Sequence, residues 1–91
     1  DAIAFGCPSM GAEVLEEAEF EPLFESCRGR LPGKTIALFG SYDWGDGEWM
    51  RNWTELCESD GANLACESLI CHLEPKEEDV ENCKALGAAL V

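Results

Sequence analysis

Two glycine-rich stretches of this 91-residue chain combine residue types that could hold a flat aromatic molecule: "CPSMGAE" at 7–13 and "GSYDWGDGE" at 40–48. A planar ligand is held by contacts on both faces and by backbone hydrogen bonds at its edge. That asks for large flat or polarizable side chains beside glycines that admit close backbone approach. Met10 offers one face and Trp44 or Tyr42 the other, with Gly11, Gly45 and Gly47 as the permissive backbone. The competing reading packs Tyr42 and Trp44 against the helix that follows them. Trp49 and Trp53, spaced i, i+4 on that helix, read as core instead.

Other chemistries find less support. Gly45-Asp46-Gly47 at a helix start lacks the third glycine of a dinucleotide fingerprint, and Asp46 and Glu48 would repel a phosphate. Asp46 is expected to cap the helix. His72, the single histidine, has no partner histidine or Cys-x-x-Cys pair with which to bind zinc. Ser9, Ser41, Ser59 and Ser68 lack the setting of an activated nucleophile. The runs Glu16-Glu17 and Glu77-Glu78-Asp79 read as solvated helix faces.

The elements that must position the two loops are legible as an alternation. "AIAFG" (2–6) and "TIALFG" (35–40) are short apolar runs of the kind that form strands covered on both faces, and "NLACESLICHL" (63–73) is a third run, interrupted by Glu67 and Ser68. Between and after them come helical patterns. Pro22 suits a first turn ahead of Leu23, Phe24 and Cys27, and Gly29 marks the end. Trp49, Met50, Trp53, Leu56 and Cys57 make one apolar face, which Gly61 terminates. Glu77, Glu78 and Asp79 favour the start of a helix whose Val80, Cys83, Leu86 and Leu90 share a side. Strands alternating with helices predict an α/β domain with a parallel sheet, in which ligands sit beyond the carboxyl ends of the strands. Both loops follow strand ends.

Composition sets outer bounds. The length suits a single domain, 1–91, that hides only about 60–65% of its unfolded surface. A net charge of −13 repels nucleic acid and anionic membranes and suits a basic protein partner or a cofactor held by neutral groups. No apolar run approaches the roughly 18 residues of a transmembrane helix. The six cysteines contain no Cys-x-x-Cys pair and lie within apolar patterns, as reduced thiols of a cytoplasmic protein would. The chain opens at Asp1 and enters "AIAFG" directly, which reads as the middle of a domain.

With these segments in view, "GCPSMGAEVLEEAEFEP" followed by "LPGKTIALFGSYDWGDGEWM" resembles the short-chain flavodoxins of the clostridial type, and the likeness continues through "GANL" to the end. It covers nearly the whole chain but only the later part of that family's domain, the third to fifth strands of a flavodoxin-like sheet ordered 2-1-3-4-5. The resemblance implies FMN as cofactor, one-electron transfer rather than enzymatic turnover, and redox partner proteins with a basic docking surface. Pro8, Ser9, Met10, Gly11, Ala12 and Glu13 match the loop that touches the flavin edge, where the Gly11–Ala12 peptide turns its carbonyl toward N5. Ser41, Tyr42, Asp43, Trp44 and Gly45 match the loop whose tryptophan stacks on the ring. Asp43 stands where the family usually has glycine, and would be strained by a positive φ. Ala12 stands where it often has Asp or Asn. The family's first strand and hydroxyl-rich phosphate loop have no counterpart, so the first strand here is expected to be an open edge that invites self-association or a complementing N-terminal segment. The alternatives are a fragment that keeps the fold without binding flavin, and a subunit of a flavin-dependent reductase, for which no added substrate pocket is evident.

Overall fold

The structure, a computed structural model, describes residues 2–10 and 14–91. In chain order the elements are β1 (Ala2–Gly6), α1 (Phe20–Cys27) with a 3-10 turn at Arg28–Arg30, β2 (Thr35–Tyr42), α2 (Glu48–Ser59), β3 (Asn63–Leu64), β4 (Leu69–His72) and α3 (Glu77–Ala89). All pairings within the sheet are parallel. β2 is central: β1 runs along one side of it in the register Ala2↔Thr35 to Gly6↔Phe39. On its other side β3 pairs with Thr35 and Ile36, and β4 with Phe39 through Tyr42.

The third apolar run is therefore two strands where the sequence suggested one. Ala65 still donates to the Ile36 carbonyl at 2.9 Å, but the chain then leaves the sheet, and the Ser68 hydroxyl meets Thr54 of α2 at 2.8 Å. The break runs from 65 to 68 and so includes the polar residues 67 and 68 that interrupt the apolar run.

Strand alternation sorts the side chains onto two unequal faces. One carries Phe5, Ile36 and Leu38 and is sealed by α1 and α2: Phe24 meets Phe5 edge-on at 5.4 Å and Trp53 at 5.7 Å, and Phe20 meets Trp53 at 5.5 Å. Trp49, Trp53 and Cys57 are buried there, as their helical spacing predicted. The Arg28 guanidinium donates to both Asp60 carboxylate oxygens, at 2.7 and 2.9 Å, and so joins the ends of α1 and α2. That bond holds the Asp60 carboxyl below its ordinary pKa. The opposite face carries Ala2, Ala4, Gly6 and Phe39, and α3 lies over its β4 side. Of α3 only Leu86 is buried. Val80 and Cys83 are exposed, against the expectation of a covered apolar side, because small side chains on β1 give that face little to pack against.

Two helix starts differ from the sequence reading. Glu16 lies ahead of α1 rather than on a helix face: it accepts from the amides of Ala18, Glu19 and Phe20 at 2.7 to 2.8 Å, which fixes the chain as α1 begins and pulls the Glu16 pKa down. Asp79 likewise accepts from the Lys76 amide at 2.9 Å. At α2 the capping position is Gly47, with φ of 92°, and Asp46 instead pairs with Arg51 at 3.0 Å. A left-handed residue followed by the first helical turn leaves Asp46 facing away from the amides it was expected to cap. Among the described residues no helix is long and apolar enough to cross a membrane.

Candidate planar-ligand site at the strand ends

The two loops are fastened to one another by continued strand pairing. Beyond the last sheet residue of β1, the Cys7 amide donates to the Phe39 carbonyl at 3.1 Å and the Ser9 amide to the Ser41 carbonyl at 2.9 Å. Gly40 permits this closeness, since a side chain there would run into the Cys7 carbonyl, which also accepts the Trp49 indole N–H at 3.3 Å. The Cys7 thiol is buried on the same spot. It accepts the Glu16 amide at 3.4 Å, and burial keeps its pKa raised, so it is a neutral structural group.

Met10 and Val14 exchange two hydrogen bonds of 2.9 Å each, which clamps the ends of the first loop and leaves Met10 exposed at its base. Gly11, Ala12 and Glu13, expected at the ligand edge, lie outside the described residues. Pro8 is exposed and Ser9 half-buried.

The second loop decides between its two aromatics. Tyr42 is half-buried, its ring 5.7 Å from Trp49 and 4.9 Å from His72. His72 in turn bonds the Asp43 carbonyl through Nε2 at 2.8 Å, and the Leu73 amide donates to the Tyr42 carbonyl at 2.9 Å. Tyr42 thus packs on the following helix, as the competing reading had it, and closes the seam between β2 and β4. Trp44 does not: it is 61% exposed, the most exposed aromatic described. Asp43 carries no positive φ, so the feared strain is absent there. The single left-handed non-glycine residue described is Leu73, at φ 62°. Gly45, at φ 87°, turns the loop beneath Trp44, and with Gly47 it brings the chain back into α2.

The Trp44 indole, exposed beside an Asp43 carbonyl that His72 holds, is open to a flat ring, and the site fits a flavin in this respect. Asp43, Asp46 and Glu48, close to Trp44 in sequence, are exposed, and Asp46 is paired with Arg51. Pro8 and Ser41, with Gly6, Cys7 and Gly40, also line a cavity of about 420 Å³ on the α3 side of the sheet. His72 was missed by sequence reasoning: it was weighed only as a metal ligand, and nothing local signals its reach to residue 43, 29 positions away. No group of three or more metal-binding side chains occurs among the described residues.

This fold is that of the flavodoxin-like class. No protein-family model matches the chain. It is 45% identical over 87 residues to a flavodoxin of Clostridium beijerinckii, covering 96% of this chain and 62% of the relative. It is 40% identical to the flavodoxin of Megasphaera elsdenii, whose two-electron reduced solution structure matches 98% of this chain with a TM-score of 0.82, over 63% of its own length. The oxidised Flavodoxin 1 of Bacillus cereus matches with a TM-score of 0.78 at 29% identity, 99% of this chain and 63% of that one. In sequence and fold the chain is a partial short-chain flavodoxin, spanning somewhat under two thirds of the length of these relatives.

Proposed function

We propose that this chain supplies the flavin-ring-binding part of an FMN-dependent carrier of single electrons. The observation that carries the reading is Trp44, held out into solvent at the carboxyl end of the central strand while every other tryptophan is sealed in the core. FMN, when bound, supplies the one-electron chemistry. The chain's own groups do the rest: Trp44 covers one ring face and excludes water from it, and Met10 offers its thioether beside the other. Pro8, Ser9, Gly11, Ala12 and Glu13 would present backbone to the ring edge, where glycine at 11 lowers the steric cost of turning the Gly11–Ala12 carbonyl. Ser41, Tyr42, Asp43 and Gly45 set the height of the platform. The carboxylates of Asp43, Asp46 and Glu48 oppose the addition of negative charge nearby, which lowers the potential at which the site accepts electrons.

A net charge of −13 steers the carrier toward redox proteins with basic surfaces, in the cytoplasm, and disfavours nucleic acid and anionic membranes. The second reading is a fragment that keeps the fold without flavin. Titration with FMN and with riboflavin, followed by flavin absorbance, separates them. A site that holds the ring alone binds both with the same affinity. Failure to bind either would replace the proposal with the fragment reading, and FMN binding far tighter than riboflavin would contradict the ring-only assignment.

A further inference from the structure

The cavity of about 420 Å³ beside the strand ends is lined on its α3 side by Cys71, Pro75, Asp79 and Cys83. Asp79 and Cys83 are spaced i, i+4 and so share the face of α3 turned to β4. Cys71 and Leu69, two apart on β4, share the face turned to α3. One thiol is half-buried at the sheet and the other exposed on the helix, both free, with the cavity between them.

We propose that Cys71 and Cys83 form a dithiol that a low-molecular-weight disulfide oxidises to an intramolecular disulfide, tying α3 to β4. The Cys83 thiolate, reachable from solvent, attacks one sulfur of the reagent and expels a thiolate, leaving a mixed disulfide on Cys83. The Cys71 thiolate then attacks the Cys83 sulfur and expels the second thiolate. Two protein thiols and one RSSR become one protein disulfide and two RSH. The order follows from the surroundings: burial, then the charges of Asp79 and a deprotonated Cys83, push the Cys71 thiol up, so it is the slower nucleophile and resolves rather than initiates. A disulfide needs its Cα atoms within about 4.4–6.8 Å. With only Leu86 buried, α3 is lightly anchored and has room to settle into that geometry. The remaining thiols are placed otherwise: Cys57 is buried in the core, Cys27 lies on α1 and Cys66 between β3 and β4, while Cys7, which also lines the cavity, is buried at the end of β1 with its sulfur bonded by the Glu16 amide.

The test treats the folded chain with oxidised glutathione and reads intact mass. The expected product has lost two hydrogens without gaining glutathione, and a glutamate-specific protease, which cuts after Glu58, Glu67 and Glu81, separates Cys57, Cys66 and Cys71 and leaves the peptide that starts at Ser68 joined to 82–91 through Cys71 and Cys83. Cys71→Ser is expected to stop at the mixed disulfide on Cys83, and Cys83→Ser, a surface change that keeps the fold, to lose the two-hydrogen product entirely. A wild-type chain that stops at the mixed disulfide, links Cys83 to Cys7, Cys57 or Cys66, or forms only intermolecular disulfides would overturn the proposal.

Discussion

Tyr42 and Trp44 are two residues apart, and their opposite fates show how far residue type alone carries. Either could be read from sequence as a platform or as packing, because both are large, flat and beside glycine. What separates them is His72, brought by β4 against the Tyr42 ring and the Asp43 carbonyl from the far end of the chain. Trp44 has no such partner and remains 61% exposed. The two substitutions should therefore part company. Trp44→Ala is expected to weaken flavin by about 1–3 kcal/mol, the worth of stacking a flat ring on an aromatic side chain, while shifting fold stability by no more than about 0.5 kcal/mol. Tyr42→Ala is expected to destabilise the chain by about 3 kcal/mol, since it empties a half-buried ring site against Trp49. Flavin titration beside thermal unfolding of both variants checks the pair, and a Trp44→Ala chain with parental flavin affinity removes the platform.

Elements were legible where hydrophobic period was long and uninterrupted, as in α2, and illegible where a local polar group decided the outcome. The break between β3 and β4 and the cap that Glu16 gives α1 both depend on polar side chains meeting backbone or hydroxyl partners that periodicity does not encode. The cap has a consequence in acid. Three amides favour the ionised Glu16, so its folded pKa lies below the unfolded value of about 4.3. Its contribution is complete above that value and disappears as pH falls through the folded one. Glu16→Gln should accordingly lower the melting temperature at pH 7, with the gap to the parent closing on acidification below about pH 4. Melts recorded by circular dichroism from pH 7 downward test this, and a gap that stays constant would mean that the charge plays no part.

At the scale of the molecule, the charge and the one-sidedness of the sheet oppose one another. β1 pairs with β2 alone among the described residues, and Ala2, Ala4 and Phe39 stand exposed on the thinly covered face. How little α3 would cover was not legible in the sequence, because the burial of Val80 and Cys83 depends on what lies opposite them. The 91-residue chain is expected to self-associate through β1, held apart at low salt by a net charge of −13 and released as salt screens it. Sedimentation from low to high salt checks this, and a monomer throughout would show that the edge is protected. The same uneven cover sorts the three tryptophans by medium: Trp49 and Trp53 sit in a dry interior at 2% exposure and Trp44 in water. Indole emission shifts to longer wavelength in polar surroundings, so the chain's fluorescence divides into a blue component that reports the fold and a red component that belongs to Trp44. A collisional quencher in solution would reach the second and spare the first. The molecule carries in its own light, without a label, one signal for whether it is folded and another for whether its platform is covered.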